Sequence, residues 1–254
     1  MRKIVKFKGI LFISVILFNI LSCQSQEKKA NSTEIESYSA RFERLKKESI
    51  SKGSVSNGTL INGVLFPFSG VNFQYFDTTS YVSGRAFLNS RIENSTIETY
   101  QEFEKLAPNR FFYIMECSNQ HGGKMHPHRT HQNGLSVDFM MPLIKNNLPF
   151  YELDVLGKDH YLLTFDNDGR YSEDKSISVD FDLIAHHILV LNEKEKKHGY
   201  KISKVIIKIE FKDKLFNSKY GKELKESGIY IVKGLSPLIN SLHDEHYHVD
   251  FVKL

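Results

Sequence analysis

Cysteine is nearly absent. The 254 residues hold two, Cys23 and Cys117, so at most one bridge could staple the chain and a disulfide-dense scaffold is excluded. Long apolar runs are also scarce: the one candidate, Ile10 to Ile20, falls short of the roughly 20 residues that span a bilayer comfortably. No stripe of lysine and arginine interleaved with aromatics occurs. The formal charge of +4 comes from the first 22 residues, which carry four bases and no acid. Without them the chain is neutral, so charge gives no support to nucleic-acid binding. Neither an internal repeat nor a low-complexity linker interrupts residues 53–254, about 200 residues that suit one domain with a real core.

What is present begins with an address. A basic start, Met1-Arg-Lys-Ile-Val-Lys-Phe-Lys8, precedes the short apolar run, and together they read as an export signal over residues 1–22. Its end, Ile20-Leu-Ser-Cys23, looks like a bacterial lipobox, which implies acylation of Cys23 and a lipid anchor that holds the exported protein to a membrane, facing the periplasm. Cys117 is then the only thiol. It follows the apolar run Phe111-Phe-Tyr-Ile-Met115 and reads as a small buried hydrophobe rather than a nucleophile. Residues 23–52 are polar and form a tether, partly helical because Ile35, Tyr38, Phe42 and Leu45 recur at helical spacing.

The remainder predicts mixed α and β structure. Ile97, Tyr100, Phe103 and Leu106 mark a helix over 95–106 that Ala107-Pro108 ends. Asp180 suits an N-cap for a helix bearing Leu183, Ile184, His187, Ile188 and Leu191, with Gly199 as its stop. Residues 111–115 and 202–211 read as strands, and 212–226 as a polar helix or loop. The class expected is α+β.

Seven of the eleven histidines fall in two short windows. The first runs from His121 through His126, His128 and His131 to Asp138, and the second is His243-Asp-Glu-His-Tyr-His248. A hydrolytic Zn²⁺ takes three ligands from His, Asp, Glu and Cys and leaves a place for water, and the two windows supply that donor set. Residues 135–140 alternate as a strand with Asp138 on the less apolar face, and Gly134 would let the chain turn so that His131 folds back beside it. A strand over 246–251 puts His246, His248 and Asp250 on one face, the two imidazole-bearing Cα atoms about 6.5–7 Å apart. One of the pair can bind metal while its neighbour faces substrate.

These residues resemble a known family. His131-x-x-Gly134-x-x-x-Asp138 with the distant His246-x-His248 looks like the zinc peptidases of the lysostaphin, D-Ala-D-Ala metallopeptidase and hedgehog superfamily. Gly122-Gly123, His128-Arg-Thr-His131 and His243-x-x-His246-x-His248 are similar to the penicillin-insensitive murein endopeptidases within it. Gly53 to Gly58 and Leu65-Phe-Pro67-Phe-Ser-Gly70 resemble that family's N-terminal segment, so the likeness covers residues 53–254.

The resemblance implies a central antiparallel sheet with flanking helices and a zinc site on the sheet face. It implies one Zn²⁺ per chain, held by His131, Asp138 and His248, and a metallo-endopeptidase that hydrolyses D-alanyl–diamino-acid cross-links between peptidoglycan stem peptides. No serine acyl-enzyme would form, so β-lactams should not inhibit it. His246 is expected to manage proton and oxyanion, since an ordinary histidine pKa near 6.5 suits acid–base work. Glu245 competes as base, because Glu245-x-x-His248 has the spacing of the related D-Ala-D-Ala dipeptidases, but strand alternation would point it away from His246's face. His128 and His243 match groove positions and would orient substrate, support the ligands or bind a second metal. Arg129 suits a substrate carboxylate or is an ordinary surface arginine. Two positions depart from the pattern: Ser136 stands where an acid is usual and Asp250 where a base is usual, and neither is expected to touch the metal set. Alternatives are a D-Ala-D-Ala carboxypeptidase and a non-catalytic zinc-containing lipoprotein that binds peptidoglycan.

Overall fold

The structure, a computed structural model, describes residues 32–42 and 47–254. The expected signal over 1–22, Cys23 and Leu45 lie outside the described residues. Two compact units divide the chain after Glu43. In the first, residues 32–39 form a helix, α1, whose Tyr38 ring meets Phe42 at 5.0 Å. No helix among the described residues is long and apolar enough to cross a membrane.

The second unit is α+β. Its strands are β1 (Ile50–Ser54), β2 (Asn57–Ile61), β3 (Val64–Leu65), β4 (Phe73–Tyr75), β5 (Phe87–Leu88), β6 (Phe112–Ile114), β7 (Ser136–Met140), β8 (Leu143–Lys145), β9 (Leu148–Phe150), β10 (Ile177–Val179), β11 (Tyr200–Ile206) and β12 (His246–Lys253). Its helices are α2 (Thr78–Val82), α3 (Ser90–Leu106), α4 (Phe181–Lys197), α5 (Lys212–Asn217), α6 (Gly221–Glu226) and α7 (Pro237–Ser241). The central sheet has the order β11-β12-β7-β6-β4. It is antiparallel from β11 to β6, but β4 pairs with β6 in parallel, so the expected all-antiparallel sheet is mixed at one edge.

β7 and β12 are interior strands, and β7 is buried along its whole length. One face of this pair carries Phe139 and Tyr247, stacked at 5.4 Å, and His187 of α4 packs against both. α3 joins that layer through Tyr100 and Phe103. Contacts between the helices fix their relation: Ser95 donates to Glu195 at 2.5 Å, and Lys194 pairs with Glu102. Asp180 caps α4 by accepting the Leu183 amide at 3.0 Å, as its place in the sequence predicts. It also pairs with Arg110 at 3.0 Å.

β11 is shorter than the predicted strand over 202–211. Its ladder partner β12 starts at His246, opposite Met140 of β7, and beyond Ile206 the Lys208 amide turns to the His243 carbonyl before a 3₁₀ turn at Ile209–Phe211. The polar stretch 212–226 resolves into α5 and α6, which bury Leu215, Gly221 and Leu224.

Candidate metal centre

The site is built on the sheet face opposite the aromatic layer. Asp138 in the middle of β7 lies directly across from His248 of β12, so neighbouring strands deliver an acid and an imidazole to the same point. His131 arrives from the turn that leads into β7. Gly134 has φ +73°, and a Cβ there would sit 2.7 Å from the Asn89 amide nitrogen, so the turn needs glycine, as predicted. His131 itself takes a left-handed φ of 65°, uncommon for a residue with a side chain. The β1–β2 hairpin props this loop: Gln132 donates its amide to Val55, Gly123 to Gly58, and Leu60 to His121.

Three imidazoles converge on one carboxylate. His248 Nδ1 is 2.7 Å from Asp138 Oδ1, His131 Nε2 is 3.2 Å from Oδ2, and His128 Nδ1 is 3.6 Å from Oδ2. His131 is fully buried; its Nε2 and Asp138 Oδ2 meet only as an ion-pair contact outside hydrogen-bond geometry, and its Nδ1 has no hydrogen-bond partner among the described residues. Orphaned donors at such depth are costly, and they are what a cation would satisfy. His128, His131 and Asp138 place their donor atoms within 4.8 Å of one another and form a group that can hold a metal ion. His248 adjoins it, its ring 4.8 Å from that of His131.

Charge follows from these contacts. Burial alone would raise the Asp138 carboxyl, but the imidazoles of His131 and His248 hold it well below the usual range. Burial pushes His131 down. For His248 burial acts in the same sense but is overridden by Asp250 and Asp138, which lift the ring to about 10.

Asp250 therefore does touch the set, contrary to expectation. Its Oδ1 lies 2.7 Å from His248 Nε2 and accepts from Ser136 Oγ at 2.6 Å, because Asp250 and Ser136 are cross-strand partners. The two departures from the family pattern are one contact.

Glu245 also differs from the alternation argument. β12 begins at His246, so Glu245 precedes the strand and its carboxylate curls back to within 2.6 Å of His246 Nδ1. Burial would lower His246, but Glu245 holds it up at about 9. A ring charged at neutral pH has a proton to give rather than a lone pair with which to take one. Glu245 and His246 are thus one unit rather than rivals, and of the two only His246 faces the cavity.

That cavity has a volume of about 770 Å³. Asp138, His246 and His248 line it together with His128, Arg129 and His243, so every expected site residue except His131 and Glu245 borders the open space. His131 lies beneath, fully buried. His243 donates Nδ1 to the Ile239 carbonyl at 2.6 Å, which leaves Nε2 as its acceptor end, and burial pushes this ring down to about 3. Arg129 is exposed at the rim, where His126 also stands, while His121 is exposed and does not line the cavity.

Glu116, Arg85 and Tyr161 are among the lining residues that were not anticipated. Glu116 accepts from His128 Nε2 at 2.7 Å and from Arg85, whose Nε is 2.7 Å away. Burial is overridden by His128 and Arg85, which hold its carboxyl at about 2. An acid closing an otherwise apolar strand was a faint signal for it; nothing in the sequence marked Arg85. Tyr161 comes from a 3₁₀ segment, Asp154–Leu162, and its buried hydroxyl has no hydrogen-bond partner among the described residues. Cys117 is fully buried with its thiol pushed well up, in keeping with a packing role. On α4, His186 stacks on Tyr220 at 3.9 Å and His187 packs among aromatics. No protein-family model matches the sequence, and no curated protein matches it significantly.

Proposed function

We propose that the protein is an exported, lipid-anchored zinc endopeptidase that hydrolyses D-alanyl–diamino-acid cross-links between peptidoglycan stem peptides. One observation carries the reading. His131, Asp138 and His248, more than 100 residues apart at the extremes, meet around unsatisfied buried donors at the floor of a cavity that also holds His246. The chemistry of the donors fits Zn²⁺, which favours imidazole and carboxylate. His131, Asp138 and His248 would hold it, with His128 beside them. A bound divalent cation supplies Lewis-acid polarisation of a carbonyl and makes water nucleophilic near neutral pH.

The chain's own groups do the rest. Glu245 holds Nδ1 of His246, so Nε2–H is the end available to a substrate. From there it stabilises the peptide carbonyl oxygen as charge develops, and it hands a proton to the departing amine. Arg129 and Lys158 stand on the rim, where cationic side chains suit the free carboxylates of stem peptides. Ile239 and Leu242 give the wall an apolar stretch for alanyl methyl groups.

Full-length protein incubated with purified sacculi, with and without a chelator, tests the proposal by chromatography of the muropeptides. Dimers should fall and monomers rise, zinc should restore chelated protein, and a β-lactam should leave the digestion unchanged. Persistent dimers under all metal conditions would refute it; pentapeptide trimmed while dimers persist would redirect it to a carboxypeptidase.

A further inference from the structure

Asp250 occupies an unusual place for a carboxylate. It is 2% exposed, two residues beyond His248 on the same face of an interior strand. Two consecutive like-facing rungs cross the sheet here. In one, Ile206 of β11, His248 of β12 and Asp138 of β7 stand side by side; in the next, Lys204, Asp250 and Ser136 do. The second rung is a chain of polar contacts. Lys204 Nζ is 2.7 Å from Asp250 Oδ2, Ser136 Oγ donates to Oδ1 at 2.6 Å, and His248 Nε2 meets the same Oδ1 at 2.7 Å.

The consequence lies in how an imidazole divides its nitrogens. With Nε2–H donated to Asp250, the nitrogen left facing Asp138 is Nδ1, and Nδ1 is 2.7 Å from Asp138 Oδ1. A carboxylate held by serine on one side and lysine on the other is a fixed post, whereas an unsupported one would swing with its two torsions. We infer that Asp250 is a positioning residue: braced by Ser136 and Lys204, it locks the His248 ring with Nδ1 turned to Asp138 and His131, as a carboxylate behind a metal-binding histidine does. The inference also accounts for both departures from the family pattern together. Ser136 and Asp250, the two positions that depart from it, touch one another, and Lys204 of the neighbouring strand supplies the positive partner. It rests on the metal reading above for its link to function, though the ring orientation itself does not.

Two measurements on the full-length protein test this. The first is Zn²⁺ affinity by competition with a chromophoric chelator. D250A should weaken binding about 10–100-fold, and D250N, whose amide oxygen can still accept from Nε2, should recover part of the loss. S136A and K204M each remove one brace and should weaken binding less than D250A. The second is the ¹⁵N and ¹H signature of the His248 ring in metal-free protein: a proton on Nε2, protected from exchange, that disappears in D250A. Thermal melting checks that each variant is folded, and D250N keeps the shape should D250A not fold.

Wild-type affinity in D250A and D250N, or a His248 Nε2 without a proton in the wild-type chain, would overturn the inference. The two readings fail separately. If wild type binds no Zn²⁺ while the Nε2 proton is present and lost in D250A, the positioning role stands and the metallopeptidase falls. If wild type binds Zn²⁺ and both Asp250 variants bind it equally well, only the positioning role falls.

Discussion

His248 and His187 are buried against opposite faces of β12, and their chemistry diverges completely. His187 is 1% exposed and lies among the rings of Tyr100, Phe103, Phe112 and Phe139; its Nδ1 meets the Tyr247 hydroxyl at 2.8 Å, and its Nε2 meets nothing among the described residues. Burial pushes it down to about 3, so it stays neutral. His248 is 3% exposed and suffers the same desolvation, but carboxylates at 2.7 Å on both nitrogens reverse the outcome. Depth therefore does not decide a histidine's charge. The company of acids does, and one strand separates the two cases by a single residue of alternation.

The comparison breaks first at the metal. His131→Ala or His248→Ala should abolish bound zinc, measured as metal per chain by elemental analysis after dialysis, whereas the double variant His187→Phe/Tyr247→Phe should retain it. His128→Ala decides the third ligand: zinc kept at one per chain assigns it to His248, and zinc lost assigns it to His128. We expect it kept, because His128 Nε2 is already committed to Glu116.

Next in size is catalysis. His246→Ala should slow dimer cleavage about 10²–10⁴-fold at unchanged zinc content, the usual range for losing a general acid. Glu245→Gln should lose less, and a loss of zinc in His246→Ala would make that residue a ligand instead.

The aromatic side predicts a pH effect on stability. The His187 imidazole resists protonation in the fold, while the unfolded chain protonates it near pH 6.5. Its contribution is complete above 6.5 and drains away as pH falls toward 3, to an upper limit of about 5 kcal/mol. Denaturant midpoints across pH 4–8 should therefore slope less in His187→Phe/Tyr247→Phe than in wild type.

Asp154 gives a smaller effect of opposite sign. Burial lifts its carboxyl to about 7 despite Arg110, so the stability tied to the neutral acid is full below about pH 4 and lost as pH rises through 7. Asp154→Asn should be more stable than wild type at pH 8 and show a flatter profile; a variant weaker at pH 8 would mean that the charged form is the one the fold keeps.

Much of the frame could be read from sequence because it rests on local rules. Alternation over 246–251 placed His246, His248 and Asp250 opposite Tyr247, Val249 and Phe251, and the strand bears this out. Gly134, the Asp180 cap and the Gly199 stop depend on backbone geometry that residue type announces. What escaped depends on register and partners. No local signal says that position 250 faces 136, and so the effect of those two residues on His248 was invisible. Strand onset decided Glu245, since alternation holds only once pairing begins. The 3₁₀ segment carrying Tyr161 has no long periodic pattern, and its role comes from where it folds rather than from what it spells.

β12 pairs with β7, more than a hundred residues upstream, and fills the middle of the sheet rather than its edge. A nascent chain elongated only as far as α7 would therefore lack both the central ladder and His248, however well its earlier pieces had formed. Such long-range pairing makes assembly slow and all-or-none. The pocket that His131, Asp138 and His248 share is therefore completed only when the two distant strands zip together.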